Sequence, residues 1–290
     1  MGRMRGESLA RNLLHCSRTL HRRGLHSASA VPKRVTIYEV GARDGLQNEP
    51  TILTPAERTV FVDLLSRTGV SKVEAASFVH PKLVPQMADG AEIMAGIQQV
   101  DGVAYPVLVP NLRGFSDAVA AGARTVAVMT AASETFSQQN TQSSMKQQLE
   151  RATAVVAAAT QRGIPARGYI SCALGCPFEG SVAPSAVAPL ARALHEAGCY
   201  EVVISDTIGT GTAGSMADVL RAVLVDVPVE SVAVHCHDTY GQALANILVA
   251  LQVRPPPFPC DRSPVRPPCM RTSLTFHTVL RHATARGGDG

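Results

Sequence analysis

Two histidines separated by one residue are the part of this sequence best suited to chemistry. His235 and His237 lie in the run Val-Ala-Val-His-Cys-His-Asp, whose apolar residues predict a strand. Side chains alternate along a strand, so residues i and i+2 point to the same side. Neutral imidazole is a common metal ligand. The pair therefore predicts a divalent-metal site at a strand end, provided that oxygen ligands arrive from elsewhere.

A carboxylate suited to such a site follows another apolar run. Asp44 stands in Arg43-Asp44-Gly45, just after the predicted strand Val35–Val40. The residue types alone leave two interpretations open. Arg43 and Asp44 are either part of a site or an ordinary surface ion pair, which contributes little to stability. The histidines are either metal ligands or satisfied residues of the core.

Short apolar runs alternate with longer amphipathic stretches between residues 35 and 252. The predicted strands are Val35–Val40, Lys72–Phe78, Ala104–Val109, Thr125–Thr130, Ala166–Cys172, Glu201–Asp206 and Ser231–His237. The predicted helices are Thr54–Arg67, Met87–Gln98, Gly114–Ala121, Ser143–Arg162, Pro184–Ala197, Ser215–Val225 and Gln242–Leu251. Seven such units with apolar strands predict a buried parallel sheet, either a (β/α)8 barrel or an open doubly wound sheet.

The positions of the polar residues favour the barrel. Almost every predicted strand ends in polar or ionisable groups, among them Arg43, Asp44, Glu74, Ser77, Asn111, Ser133, Glu134, Ser171, Asp206, Thr207, His235 and His237. All strand ends of a barrel meet at one mouth, whereas an open sheet uses only the ends at its switch point. The glycine-rich run 209–214 lacks the spacing of a phosphate-binding loop and is interpreted as a plain connection.

Charge is distributed unevenly along the chain. Residues 1–34 hold eight Lys and Arg against one acidic residue, residues 253–290 hold six against two, and the segment between them holds thirteen against twenty. A basic stripe on the folded body is therefore absent, which argues against nucleic-acid binding. No apolar run reaches the roughly 20 residues of a membrane span. Seven cysteines without a recognisable spacing predict reduced thiols.

Arginine dominates the N-terminal segment, which also contains Ser and Leu and almost no acids. This composition predicts a mitochondrial transit peptide over residues 1–34 and a mature protein in the matrix. The alternative is a disordered basic tail with no targeting role.

Five motifs resemble those of the metal-dependent lyases and Claisen-type synthases built on a TIM barrel, and among them those of the hydroxymethylglutaryl-CoA lyases. They are E-V-G-A-R-D-G-L-Q-N-E at 39–49, S-F-V-H-P-K at 77–82, Y-I-S-C-A-L-G-C-P at 169–177, D-T-I-G at 206–209 and H-C-H-D-T-Y-G-Q-A-L-A-N at 235–246. The R-D-G element is shared with the synthases, while L-Q-N-E and S-C-A-L-G-C-P resemble the lyases alone.

The resemblance implies cleavage of 3-hydroxy-3-methylglutaryl-CoA to acetyl-CoA and acetoacetate, a step of leucine breakdown and ketone-body formation. It implies Mg²⁺ or Mn²⁺ as cofactor, held by Asp44, His235 and His237. Arg43 would stabilise the enolate oxygen, and Asp44 or His235 would act as general base. Glu74 and Asp206 are assigned to the catalytic site as groups that would fix Arg43 or a histidine. The alternative is that they are ordinary polar residues of the barrel mouth. The implied substrate contacts are Arg43, Ser77, Asn140, Tyr169 and Thr207. The implied partner is a small CoA thioester, and a homodimer stays open.

After residue 252 the sequence departs from that family. Residues 253–290 contain seven of the nineteen prolines and no amphipathic period. The family's Gly-rich loop with its catalytic cysteine, and the Asn that adds a metal ligand, do not occur there. Proline removes amide donors, so we expect no central strand in this segment. The expectation is an incomplete (β/α)8 TIM barrel over 35–252, with about seven units, followed by a disordered tail over 253–290.

Two functions therefore stay open at this point. The first is a metal-dependent carbon–carbon lyase. The second is an inactive splice or frameshift variant that acts as a binding partner or has no function.

Overall fold

Parallel strands and helices alternate along the chain. A computed structural model gives the structure of residues 31–32 and 34–253 and the backbone of 272–277. The strands are Val35–Glu39, Lys72–Val73, Ala76–Ser77, Val107–Leu108, Val126–Ala131, Ala166–Ser171, Glu201–Asp206, Val232–His237 and Thr272–His277. The α-helices are Pro55–Ser66, Gly90–Gly96, Leu112–Ala120, Glu134–Thr141, Met145–Gln161, Pro184–Glu196, Ala213–Val223 and Ala243–Gln252. The described residues from Pro32 onward belong to one compact unit.

The strands form a single parallel sheet that closes on itself. One end of the hydrogen-bonded order is Lys72–Val73 and the other is Ala76–Ser77. These two short strands belong to one extended segment interrupted only at Glu74 and Ala75, so they occupy one position of the barrel. The order thus contains eight positions, each with a parallel neighbour on both sides. The predicted α/β (β/α)8 class is confirmed.

The eighth position corrects one part of the expectation, namely that no central strand forms after residue 252. Thr272–His277 pairs in parallel with Val35–Glu39 on one side and with Val232–His237 on the other. Prolines do not prevent a strand here, because the last one is Pro268 and the strand begins at Thr272. The run Thr-Ser-Leu-Thr-Phe-His is rich in β-branched and aromatic residues, which favour strands. The prediction that this segment contains no central strand was wrong. The predicted disorder of 253–290 otherwise concerns residues 254–271 and 278–290, which lie outside the described residues. The predicted transit peptide does so as well, apart from residues 31, 32 and 34.

Local sequence signals account for most helix boundaries. The helix Met145–Gln161 begins with a capping box between Ser144 and Gln147, and Ala213–Val223 begins with one at Thr212. The helix predicted from Met87 begins only at Gly90, because Pro85–Met87 forms a 3₁₀ turn and Asp89 has a positive φ of 62°. The helix Glu134–Thr141 was not predicted.

Two layers of packing fill the molecule. The larger cluster lies between the barrel and the helices and includes Val62, Ile93, Phe115, Val155, Leu194, Ile204 and Met216. The smaller cluster lies inside the barrel and consists of Leu108, Ala127, Tyr169, Val203 and Ala233. Among the described helices, none is long and apolar enough to cross a membrane.

Candidate active site

Asp44, His235 and His237 meet at one mouth of the barrel. The Oδ2 atom of Asp44 lies 3.2 Å from Nε2 of His237 and 3.4 Å from Nε2 of His235. One ligand atom from each residue lies within 4.8 Å of the others. Two imidazole nitrogens and one carboxylate oxygen suit a divalent cation of the Mg²⁺, Mn²⁺ or transition series. The predicted ligand set therefore converges, and its donor chemistry fits a metal ion.

Local backbone structure explains the convergence. His235 and His237 lie two residues apart on the strand Val232–His237, so both point toward the mouth. The strand Val35–Glu39, two positions away in the barrel, leads into a tight π-helical turn, Gly41–Gly45. In this turn the amides of Arg43, Asp44 and Gly45 all donate to the carbonyl oxygen of Val40. The turn carries Asp44 to the histidines across 193 residues of sequence.

A backbone carbonyl orients His237. Its Nδ1 lies 2.5 Å from the carbonyl oxygen of Thr207, and donation along this contact leaves Nε2 as the ring nitrogen that faces Asp44. Metal-binding histidines are commonly fixed in this way. Burial lowers the pKa of His237, but the hydrogen bond and the negative charge of Asp44 outweigh burial and raise that pKa above its ordinary value.

Arg43 lies beside this cluster and bridges two carboxylates. Its Nε donates to Oε1 of Glu74 at 2.5 Å, and its Nη1 donates to Oδ1 of Asp44 at 2.9 Å. Burial disfavours the charged form of Arg43, yet Glu74 and Asp44 raise its pKa above the ordinary value. Arg43 is only 7% exposed and Glu74 is fully buried. Arg43 and its two carboxylate partners therefore do not form an ordinary surface ion pair. The guanidinium places a fixed positive charge beside Asp44, which is grouped with His235 and His237.

Asp206 is fully buried at the end of the strand Glu201–Asp206. Its Oδ2 accepts hydrogen bonds from the amide of Gly211 at 3.0 Å and from Nδ2 of Asn246 at 3.5 Å. Burial raises the pKa of Asp206, while the Gly211 amide and the charge of His237 partly oppose this rise. The carboxylate thus ties the loop after its strand to the helix Ala243–Gln252. The sequence did not single out Asn246 as a partner in this contact.

The other predicted site residues differ in their surroundings. Ser77 is buried, and its hydroxyl accepts from the amide of Val79. Thr207 accepts from the amide of Cys172 at 2.7 Å. Asn140 is exposed near the end of the helix Glu134–Thr141, and no hydrogen bond joins it to the other site residues among those described. Ser77 and Thr207 thus lie at the mouth, whereas Asn140 stands apart on its helix.

Tyr169 lies inside the barrel and is buried. Its hydroxyl donates to Oε2 of Glu74 at 2.7 Å and accepts from Nη1 of Arg167 at 3.0 Å. Its ring meets that of His235 edge to face, with centroids 6.2 Å apart. The hydroxyl predicted to contact substrate is therefore engaged by protein groups.

Arg167 and Glu201 are buried charged residues that sequence reasoning missed. They form an ion pair of 2.6 Å inside the barrel, and the Arg167 guanidinium lies 3.7 Å from the ring centroid of Tyr38. The available signal was alternation, since Arg167 and Tyr169 lie two residues apart on one strand and share a face. That signal was lost because every residue of Ala166–Ser171 is buried, inside or outside the barrel.

Fold and site together define the class of protein: a (β/α)8 barrel with a candidate metal site of two histidines and one carboxylate at its mouth and an arginine beside it. The HMGL-like family model matches residues 34–253. The chain therefore belongs to the HMGL-like family, whose members are metal-dependent.

Similar proteins and structures agree with this assignment. The mitochondrial hydroxymethylglutaryl-CoA lyase of Rattus norvegicus is 54% identical over 78% of this chain and 70% of its own. The cytoplasmic 3-hydroxy-3-methylglutaryl-CoA lyase of Danio rerio is 57% identical over 77% of this chain and 67% of its own. Among solved structures, the hydroxymethylglutaryl-CoA lyase of Pseudomonas aeruginosa has a TM-score of 0.74 and 53% identity, covering 77% of this chain and 74% of that one.

A further solved relative carries ligands. It is an HMG-CoA lyase from Acinetobacter baumannii in complex with coenzyme A and 3-methylmalate, with a TM-score of 0.73 and 30% identity over 82% of this chain and 73% of that one. The relatives thus share the barrel and the name of one carbon–carbon lyase.

Proposed function

We propose that this protein cleaves 3-hydroxy-3-methylglutaryl-CoA to acetyl-CoA and acetoacetate. The observation that carries the proposal is the meeting of Asp44, His235 and His237 within 4.8 Å, beside the buried Arg43. The identity to lyases of the same name supports it. We further propose Mg²⁺ or Mn²⁺ as the ion, and the mitochondrial matrix as the compartment. The basic N-terminal composition and the mitochondrial names of several relatives support that location.

The reaction places distinct demands on the site. A divalent cation, when bound, lowers the pKa of the substrate's tertiary hydroxyl and orients it. We propose that Asp44 or His235 accepts the hydroxyl proton. As the carbon–carbon bond breaks, its electron pair moves into the acetyl thioester and forms an enolate, which then takes up a proton at carbon to give acetyl-CoA. Arg43 is positively charged, buried and fixed by Glu74, so it stabilises charge that appears only in the transition state.

Residues at the mouth would hold the CoA thioester. We propose that Thr207, whose carbonyl oxygen contacts His237, and Ser77, which is buried at the end of its strand, contact the acyl part. We propose that Asn140, on the helix Glu134–Thr141, contacts a more distant part. The relative bound to coenzyme A supports a CoA thioester as ligand. We propose that the reaction belongs to the end of leucine breakdown and to ketone-body formation, which the resemblance to the lyases implies.

Acetoacetate release by the purified full chain tests the proposal. We expect release from 3-hydroxy-3-methylglutaryl-CoA with Mg²⁺ or Mn²⁺, loss of release with a chelator, and a fall of about 10²- to 10⁴-fold in His235→Ala. The matched control is His80→Gln, which changes an exposed histidine outside the cluster. Absence of release from the folded, metal-loaded chain would contradict the lyase function and favour the non-catalytic alternative.

A further inference from the structure

A continuous chain of polar contacts runs through the barrel interior to Arg43. Nη1 of Arg167 donates to the Tyr169 hydroxyl at 3.0 Å, and that hydroxyl donates to Oε2 of Glu74 at 2.7 Å. The other oxygen of Glu74 accepts from Nε of Arg43 at 2.5 Å. Each contact in the series joins fully or almost fully buried side chains. This series of hydrogen bonds therefore connects Arg167, inside the barrel, to the positively charged Arg43 beside the candidate metal site.

Both carboxylate oxygens of Glu74 accept a hydrogen bond, and this fixes the plane of the carboxylate. A carboxylate held by one partner alone turns about its last torsion, which is broad. Tyr169 on Oε2 removes that freedom and presents Oε1 to Nε of Arg43. The guanidinium is planar, so fixing Nε also fixes the direction of the Nη1 atom that reaches Asp44.

Arg167 is held in turn from two other sides. It pairs with Glu201 at 2.6 Å and stacks on Tyr38 at 3.7 Å. Burying such a pair carries a desolvation penalty, whereas bulky apolar residues fill the interior of most (β/α)8 barrels. The buried Arg167–Glu201 pair connects through Tyr169 and Glu74 to the Arg43 guanidinium. We therefore attribute the pair to the orientation of Arg43 and not to a gain in stability.

We propose that Arg167 and Tyr169 are positioning residues of the lyase reaction, which act through Glu74 to fix the Arg43 guanidinium. The inference rests on the proposed function for its kinetic part. The orientation of Arg43 itself is a property of the protein without substrate. This proposal also gives Tyr169 a role other than the substrate contact that the family resemblance implied.

Kinetics of four variants of the full chain test the series. Tyr169→Phe and Arg167→Met should each lower kcat about 10- to 100-fold, with little change in KM, because a misplaced transition-state contact affects turnover rather than binding. The double variant should lose no more than the worse single variant, since both changes break one series. Arg167→Lys should recover part of the loss. A double variant with multiplied losses would show two independent packing defects and would overturn the inference.

The matched control is Tyr38→Phe. Its hydroxyl has no hydrogen-bond partner among the described residues, and phenylalanine keeps the ring under Arg167. This change removes one buried hydroxyl from the same interior without breaking the series, so kcat should stay within about twofold. A loss equal to that of Tyr169→Phe would show that any buried hydroxyl matters, which contradicts the inference.

A second measurement does not depend on activity. The Nε–H of Arg43, donated to Glu74, should give a distinct side-chain signal in ¹H–¹⁵N NMR of the metal-free chain, assigned by its loss in Arg43→Lys. Tyr169→Phe should shift or broaden this signal, and Tyr38→Phe should leave it in place. An unchanged signal in Tyr169→Phe overturns the positioning role. An inactive wild-type chain with the expected shift would instead refute the proposed function alone.

Discussion

Arg43 is the residue on which the charges of the site converge. It contacts Glu74 through Nε and Asp44 through Nη1, while Asp44 also reaches both histidines. One guanidinium thus orders two carboxylates, of which one faces the metal cluster and the other the barrel interior. A planar fork makes both contacts at once, whereas an ammonium group is a point charge.

Arg43→Lys should therefore lower kcat about 10²- to 10³-fold while the charge is kept, because the lysine cannot contact both carboxylates and also reach the enolate oxygen. Steady-state release of acetoacetate measures this change, and Mn²⁺ titration should show an affinity within a few-fold of wild type. Arg192→Lys is the control, since Arg192 lies in an exposed ion pair with Asp226. Equal kcat in the Arg43→Lys and Arg192→Lys variants would contradict the assigned role of Arg43.

For individual residues, the sequence predicted which side chains come together but not which ion pairs and hydrogen bonds hold them in place. His235, His237 and Asp44 were found because metal-ligand types follow apolar strands, and strand ends of a barrel share one mouth. The partners Glu201 and Asn246 were missed because their contacts join strands or helices far apart in sequence. No local pattern encodes such a contact.

Elements place these residues through their ends. The strand Glu201–Asp206 leads into the loop 207–212, and the helix Ala213–Val223 follows. This loop provides the carbonyl of Thr207 to His237 and the amide of Gly211 to Asp206. The sequence predicted a plain connection here rather than a phosphate-binding loop, and the structure shows a connection whose carbonyl oxygen orients His237.

Gly211→Ala should distort this loop. A Cβ atom at Gly211 would overlap the side chain of Leu174 and lie 2.8 Å from Oδ2 of Asp206, which is too close for either neighbour. We expect a loss of about 1–3 kcal/mol in the free energy of unfolding from overpacking. Urea denaturation measures it. Gly214→Ala is the matched control, because its nearest neighbour is the Thr212 hydroxyl at 3.7 Å.

The control variant should be neutral or slightly stabilising, since alanine favours the helix that begins there. If both glycine variants unfolded at the same urea concentration, the close packing of the loop against Asp206 would be refuted.

The whole molecule is defined by how the barrel closes. Alternating patterns predicted seven of the eight positions, with boundaries mostly within three residues of those observed. The eighth was missed because the seven prolines between residues 255 and 268 dominated the composition of the C-terminal segment. Thr272–His277 begins after them and is paired on both sides. The limits of the predicted domains at residues 34 and 252 stay predictions.

The strand Thr272–His277 closes the barrel because it pairs with a neighbouring strand on each side. Leu274 lies at its centre and is paired with both Ile37 and Val234. Leu274→Pro should lower the free energy of unfolding by about 3 kcal/mol or more, because proline lacks the amide and its ring disturbs a ladder with a neighbour on either side. Leu274→Val keeps the amide and introduces a β-branched side chain, which strands favour, so it should cost much less. Urea denaturation of both variants, with hydrogen exchange of the Ile37 and Val234 amides, measures the difference. Equal stability and equal exchange protection in the two variants would show that the barrel does not depend on this strand for closure.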